Sequence, residues 1–146
     1  MSRTLCLAAV VVVLLATHGI AAAMDRCTLL TAGEAAAAVG GPVGPGYAAG
    51  PMQTACQWDG TADEAAYVQV QVIDDPSYWS PPTLADGYAE LTGIGEKAYV
   101  LPEMGGFAAG ALDRGHVVVV GLAGGGASAE SAESLLRLVV DRLPGG

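Results

Sequence analysis

The chain has three cysteines, and one of them lies in an apolar segment near the N-terminus that determines how many remain to form a disulfide. Residues 5–16 form an apolar run of twelve residues. Such a run is too short to span a bilayer core of about 30 Å. The small residues 21–23, all alanine, then provide a site that a signal peptidase would recognise. We therefore expect residues 1–23 to be a signal peptide and residues 24–146 to be a single exported domain.

Removal of this segment leaves an even pair of cysteines, Cys27 and Cys56, because Cys6 departs with the signal peptide. Disulfides form and persist in oxidising compartments outside the cytoplasm, so we predict that the two are bonded. Closing a loop of about thirty residues stabilises a fold by roughly 3 to 4 kcal/mol in the chain-entropy model. An uncleaved membrane anchor and a lipid anchor are alternatives. The charged residues directly before Cys27 do not fit a lipid-attachment motif.

Composition predicts a small interior and argues against one class of partner. The 146 residues include 27 Ala and a single Phe, so the core depends on Val, Leu and Ile. Fifteen acidic residues against six basic ones give a net charge of -9. Polyanions would be repelled over most of this surface, which argues against nucleic acid and anionic membranes. We expect a small molecule or an envelope protein as partner, and no stable transmembrane anchor.

Three segments are predicted to be helical. Thr31 and Glu34 have capping-box spacing at the start of an Ala-rich segment, which indicates a helix over about 32–39. A last helix is predicted after Ser128. Its apolar residues share one stripe: Leu135, Leu136, Val139, Val140 and Leu143. The segment 83–91 also has helical spacing of its apolar residues despite an internal glycine, so we predict a mid-chain helix there.

The remaining patterns are typical of an antiparallel sheet. Residues 67–73 alternate between Val and polar side chains, which predicts a half-buried strand, and residues 56–58 form a candidate first strand. We expect the loop 41–51 to have little regular structure. Three further strands are predicted as a meander: 97–101, 107–112 and 116–122. The predicted class is α+β, with an antiparallel sheet of about five strands, three helices at the N-terminus, mid-chain and C-terminus, and one disulfide.

No catalytic, metal-binding or cofactor motif is visible in the exported part of the sequence. It has one histidine, His116, and no serine in the Gly-x-Ser-x-Gly elbow of covalent hydrolases. Two disulfide cysteines and one histidine cannot complete a tetrahedral zinc site. We therefore predict no metal, no cofactor and no catalytic residue, and we favour a binding domain over an enzyme.

Aromatic side chains are the candidate ligand contacts. Tyr78 and Trp79 lie between Pro76 and Pro81, where two large rings could form a rigid platform for sugars, lipids or peptides. The predicted contact residues are Trp58, Tyr78, Trp79 and Tyr88.

Two alternative functions remain open. A carboxylate-dependent hydrolase would use Asp74, Asp75 or Glu103, and it requires two of them to face each other across a pocket, one with a raised pKa. A secreted protease inhibitor would use a rigid, protruding, proline-rich loop braced by the disulfide.

Four short motifs occur in a distinctive order along the exported part. They are Cys27-Thr28-Leu29-Leu30-Thr31, Cys56-Gln57-Trp58, Gly93-Ile94-Gly95-Glu96-Lys97-Ala98, and Arg114-Gly115 before a Val-rich strand and a Leu-rich helix. Their order and the paired cysteines resemble a family of actinobacterial secreted proteins and lipoproteins of unknown function. The resemblance implies a PsbP-like α-β-α sandwich and supplies no catalytic residues. It suits an exported binding domain that acts outside the cytoplasm at the cell envelope.

Overall fold

The computed structural model describes residues 24–145, so the predicted signal peptide lies outside the described residues. This part contains two α-helices and seven β-strands. The helices are α1 (Ala32–Val39) and α2 (Ala129–Asp141). The strands are β1 (Tyr47–Ala49), β2 (Ala55–Asp59), β3 (Tyr67–Ile73), β4 (Ala89–Leu91), β5 (Lys97–Glu103), β6 (Gly106–Asp113) and β7 (His116–Ala123). Neither α1 nor α2 has the length and apolar character that crossing a membrane requires.

All seven strands form one antiparallel sheet with the order β1-β2-β3-β7-β6-β5-β4. The predicted strand Tyr67–Ile73 is confirmed, and it lies beside β7 near the middle of the sheet. The predicted meander is also confirmed, because β5, β6 and β7 are consecutive neighbours. Arg114 and Gly115 make the turn between β6 and β7 with φ angles of 46° and 79°. Two positive φ angles suit a tight hairpin turn between twisted strands.

Both helices pack on one face of this sheet, which we call the helix face. The alternating Val residues of β3 and β7 point to this face and are fully buried there. Leu136 and Val139 of α2 pack on them with no exposed surface. The two predicted terminal helices are confirmed, each beginning with a capping box at Thr31 or Ser128.

The predicted disulfide is confirmed. Cys27 and Cys56 are bonded, with their Cα atoms 5.1 Å apart. Cys56 is fully buried on the helix face of β2, and Cys27 belongs to a short 3-10 turn, Arg26–Thr28, that precedes α1. The bond therefore fastens the N-terminal turn to a strand near one edge of the sheet.

The opposite face of the sheet is divided into two regions. Residues 74–88, which we call the strap, connect β3 to β4. Three strap residues pack on three residues of β5 and β6: Trp79, Ala85 and Tyr88 on Tyr99, Leu101 and Ala108. We call this region the covered half. The region over β1, β2 and β3, which we call the open half, presents polar side chains instead, among them Tyr47, Gln57, Gln69 and Gln71.

The predicted count of about five strands and three helices was wrong, because residues 24–145 contain seven strands and two helices. The mid-chain helix predicted over 83–91 does not form. Gly87 has a φ of 77°, and Leu84, one of the apolar residues that gave the segment its helical spacing, is 99% exposed. The end of this segment forms β4 instead, because β5 offers it a strand to pair with.

The segment 41–51 also contains more regular structure than its composition predicts. It includes β1, which pairs with β2, and an isolated bridge between Val43 and Gly60. Both pairings depend on a partner segment outside 41–51, which the composition of this segment does not reveal. These additions lengthen the sheet at one edge, as β4 does at the other.

Candidate functional site

Tyr99 is the centre of an aromatic cluster in the covered half. Its ring stacks on that of Tyr88 with centroids 5.6 Å apart, and it lies 5.7 Å from the ring of Trp79. Burial raises the pKa of Tyr99, and the nearby Glu103 carboxylate adds to this shift. A Cβ atom at Gly110 would come within 2.6 Å of the Tyr99 ring. The missing side chain at Gly110 therefore makes room for the ring that supports the strap.

Local hydrogen bonds fix the start of the strap. The Asp75 carboxylate accepts a hydrogen bond from the main-chain N–H of Ser77 at 2.9 Å. The N–H of Trp79 then donates to the carbonyl of Pro76 at 3.1 Å, which closes a 3-10 turn. Hydrogen bonds from Ser77 lower the pKa of Asp75, so its capping carboxylate stays ionised. Trp79 is thus held in place by its main-chain hydrogen bond to Pro76 and by the contact of its ring with Tyr99.

A cleft of about 390 Å³ opens beside the strap, at the edge of the sheet formed by β4 and β5. Trp79 and Tyr88 contribute its aromatic surface. Its charged groups are the carboxylates of Glu90 and Glu96 and the ammonium of Lys97. The lining is completed by Pro81, Thr83, Leu91 and Ala98. Size, aromatic surface and a few polar groups are the usual properties of a small-molecule site. We call this cavity the strap cleft.

Strand register brings two opposite charges of the strap cleft onto the same face of the sheet. Glu90 of β4 is paired with Tyr99 of β5, and Lys97 stands two residues before Tyr99. Glu90 and Lys97 are therefore diagonal neighbours on the covered half, a placement that separates Cα atoms by roughly 7–8 Å. The described residues contain five ion pairs, and Glu90 and Lys97 take part in none of them.

Lys97 differs from the other basic residues of the described chain in how the fold uses it. Each arginine in residues 24–145 binds at least one main-chain carbonyl and one carboxylate. The pairs are Arg26 with Val72 and Asp74, Arg114 with Val140 and Asp113, Arg137 with Gly93 and Glu133, and Arg142 with Leu29 and Glu34. The Lys97 side chain makes no hydrogen bond or ion pair within the same residues. Its ammonium remains available to a ligand.

The four predicted contact residues have different environments. Trp79 and Tyr88 are partly exposed and line the strap cleft, as a binding role requires. Tyr78 is 64% exposed but does not line the cleft. Trp58 is 2% exposed and belongs to the helix-face core, so it serves packing and is not on the surface. The binding role of the three exposed residues stays a prediction.

The carboxylates considered for hydrolysis are engaged separately. Asp74 binds His116, whose Nδ1 atom lies 2.9 Å from Oδ1, and it also pairs with Arg26. Asp75 caps the strap turn and has a lowered pKa, the opposite of the required shift. Glu103 ends β5, and neither it nor the two aspartates line the strap cleft. Residues 24–145 also contain no cluster of three or more side chains suited to a metal ion.

The loop between β1 and β2 has part of what a protease inhibitor needs. It lies beside the disulfide, because Met52, Gln53 and Cys27 line one small cavity. Met52 protrudes and is 90% exposed. However, Met52 and Gln53 have φ angles of 57° and 55°, whereas peptide recognition by strand addition needs an extended backbone. The loop tip does not have the shape of such a peptide.

Polar side chains of the open half form a self-contained hydrogen-bond network. Tyr47 and Gln57 each donate to Asp59 at 2.7 Å, and Gln69 donates to Gln57 at 3.1 Å. The bond from Gln57, followed by that from Tyr47, lowers the pKa of Asp59. The same network raises the pKa of Tyr47. These groups already satisfy one another, so the open half offers a ligand fewer spare donors.

A second cavity, of about 400 Å³, lies between the two helices. Its apolar lining is alanine and leucine, without an aromatic ring. The hydroxyls of Ser128 and Ser131 are occupied in the capping box of α2, and Glu34 is bound by Arg142. Glu130 and Ser134 complete its polar lining, so this groove has neither the basic group nor the aromatic rings that the strap cleft offers to a ligand.

Sequence reasoning missed Glu90 and Lys97. One signal was present, because Lys97 is the only lysine of the 146 residues. Its closeness to the aromatic rings depends on the pairing of β4 with β5, which sequence reasoning replaced by a helix.

Comparisons with protein families, curated proteins and solved structures give no match for this chain. The resemblance to actinobacterial secreted proteins therefore stays a prediction.

Proposed function

We propose that this chain is an exported binding domain that acts outside the cytoplasm, at the cell envelope, and that the strap cleft is its ligand site. The observation that carries the proposal is the combination found there. A braced aromatic surface adjoins Lys97, the basic side chain to which the described fold gives no partner. Aromatic faces supply contact area, and a few charged groups supply orientation and specificity.

The rigidity of the site supports binding. Tyr99 is 7% exposed and holds both Trp79 and Tyr88 through ring contacts. Rings that are already ordered lose little side-chain entropy when a ligand arrives. The strap cleft is thus prepared for a ligand before binding.

The proposed location rests on the disulfide and on the N-terminal sequence. A disulfide between Cys27 and Cys56 persists in an oxidising compartment. Intact-mass analysis of secreted protein checks both points together. We expect a chain that starts at Met24 and lacks two hydrogen atoms relative to the reduced form. A full-length mass, or two free thiols, would contradict the proposal.

Native mass spectrometry of the secreted protein tests the ligand site. We expect a small molecule that remains bound to the wild-type protein and is lost from Trp79→Ala. Tyr47→Ala is the control, because it removes an exposed ring of the open half that does not line the cleft. A ligand retained by Trp79→Ala and lost from another variant would place the site elsewhere.

A further inference from the structure

We infer that the strap cleft takes a small organic zwitterion, with the ligand's ammonium group toward Glu90 and the aromatic rings and its carboxylate toward Lys97. This inference rests on the proposed function and names its ligand class. It follows from two opposite charges that share one cleft and do not pair with each other.

A purely anionic ligand fits poorly. Lys97 would attract it, but Glu90 and Glu96 line the same cleft and Glu103 lies close enough to Tyr99 to raise its pKa. The chain as a whole has a net charge of -9, so the surrounding potential is negative. An anion would gain one favourable contact and meet several unfavourable ones.

A purely cationic or a neutral ligand leaves a charge uncompensated. A cation at Glu90 would lie near the Lys97 ammonium, and a ligand covering Lys97 without pairing it would remove that group from water at a cost. The hydroxyls of a neutral sugar would hydrogen-bond to both groups but would bring neither of them an opposite charge. A zwitterion pairs with Glu90 and Lys97 together, whereas a ligand with a single charge pairs with only one of these two groups.

The aromatic surface also favours a ligand that carries an ammonium group. Cations bind over the faces of aromatic rings, and tryptophan is the strongest partner. Trp79 and Tyr88 both line the cleft that contains Glu90. Ring faces and a carboxylate together form a site for a primary or quaternary ammonium group.

The dimensions agree with a molecule the size of an amino acid or a short peptide. The diagonal placement of Glu90 and Lys97 separates their Cα atoms by roughly 7–8 Å, and both side chains are long enough to converge on one ligand. The cleft of about 390 Å³ lies near the lower end of the usual range for small-molecule sites.

Four probes with matched structures test the inference. L-phenylalanine is the zwitterion, 2-phenylethylamine lacks its carboxylate, and 3-phenylpropionate lacks its ammonium group. Methyl α-D-glucoside represents a neutral sugar. Each probe is titrated into the mature protein, and the indole N–H resonance of Trp79 reports binding. The indole of the buried Trp58 reports that the fold is intact. We expect L-phenylalanine to bind about tenfold or more tightly than either single-charge analogue.

Charge-removing variants assign each contact. Lys97→Gln should reduce the affinity for L-phenylalanine about tenfold and should not weaken binding of the amine. Glu90→Gln should weaken binding of the zwitterion and of the amine, but not of 3-phenylpropionate. Glu130→Gln is the control for Glu90→Gln, because it removes the same negative charge at α2, outside the strap cleft.

The outcomes separate this inference from the proposed function. Equal affinities for L-phenylalanine and the amine would overturn the role of Lys97 and therefore the zwitterion. Preferred binding of the glucoside, or no binding of L-phenylalanine at its solubility limit, would overturn the ligand class. In either case native mass spectrometry with Trp79→Ala still decides whether the strap cleft is a binding site.

Discussion

The covered and open halves belong to the same face of one sheet, yet their polar side chains differ in whether they find partners within the protein. In the open half, Tyr47 and Gln57 donate hydrogen bonds to Asp59, and Gln69 donates one to Gln57. In the covered half, aromatic rings pack beneath the strap, while Glu90 and Lys97 remain unpaired at its margin.

This difference shows which part of the sheet surface has polar and charged side chains without a partner in the fold. The open half has more polar side chains, but they satisfy one another, as buried and half-buried polar groups usually do. The covered half has fewer polar groups, and Glu90 and Lys97 beside the strap form no ion pair within residues 24–145. The candidate site is therefore identified by unused groups beside a rigid surface and not by the number of polar residues.

The largest expected loss of stability comes from removing the disulfide, which fastens β2 near the edge of the open half. Replacing Cys27 and Cys56 by alanine should reduce the free energy of unfolding by roughly 3 to 4 kcal/mol, because the unfolded chain is no longer cross-linked. Urea titration measures this loss. Hydrogen exchange should show β1 and β2 losing protection before β5 and β6. A loss below about 1 kcal/mol, or equal exchange in both halves, would contradict the expected role of the bond.

A pair of identical truncations compares the covered half with the helix face. Leu136 on α2 is fully buried among the sheet valines, and Leu101 is 8% exposed beneath the strap. Leu136→Ala should destabilise the protein by about 3 kcal/mol and Leu101→Ala by about 2 kcal/mol, because the strap can settle into the space more easily than a helix can. Thermal and urea unfolding measure both. A larger loss at Leu101 would show that the strap is as rigid as the helix layer.

Two glycines on adjacent strands compare the ring-filled region under the strap with the sheet surface beside Tyr67 of β3. A Cβ atom at Gly110 would meet the Tyr99 ring at 2.6 Å, whereas one at Gly121 would meet only Tyr67, at 3.8 Å. Gly110→Ala should cost about 1–3 kcal/mol through overpacking and should displace the rings of the strap. Gly121→Ala should change stability by about 0.5 kcal/mol or less. Equal effects would mean that Tyr99 can move away without disturbing the strap.

Much of the fold could be predicted from local signals. The capping residues Thr31 and Ser128 mark the starts of both helices, and the alternation in 67–73 marks a central strand. The disulfide followed from the number of cysteines that would remain after the predicted cleavage. Each of these features is encoded within a few residues or by simple counting, so tertiary contacts are not needed to recognise it.

The edges of the sheet and half of the site could not be predicted in the same way. Strands β1 and β4 have three residues each, and only their pairing with β2 and β5 makes them strands. Trp79 was recognisable as a large ring between two prolines, and Tyr88 was among the predicted contact aromatics. Trp58 has similar chemistry but points to the helix face, because strand alternation places it beside Val68 in the core. Glu90 lies opposite Tyr99 because of the register between β4 and β5, and no sequence pattern around Glu90 reveals that register.

The smallest predicted change in stability concerns the ion pair between Glu34 of α1 and Arg142 at the end of α2, whose contribution depends on pH. Glu34 accepts hydrogen bonds from Arg142 at 2.6 and 2.8 Å, and this contact above all lowers the pKa of Glu34 to about 2. A carboxyl whose pKa falls on folding stabilises the protein above its unfolded pKa, near 4.5, and this contribution disappears as the pH falls toward 2. Glu34 is 30% and Arg142 37% exposed, so solvent screening limits the contribution to about 1 kcal/mol.

Glu34→Gln should therefore be about 1 kcal/mol less stable than the wild type at pH 7, and the difference should shrink steadily between pH 4.5 and pH 2. Urea unfolding across this pH range measures the difference. Glu64→Gln is the control, since Glu64 makes no hydrogen bond or ion pair within residues 24–145 and its replacement should leave the pH dependence unchanged. A constant gap between Glu34→Gln and the wild type would show that the glutamate acts through its capping geometry alone. The helix layer would then be held, like the open half, by hydrogen bonds that do not depend on the Arg142 charge pair.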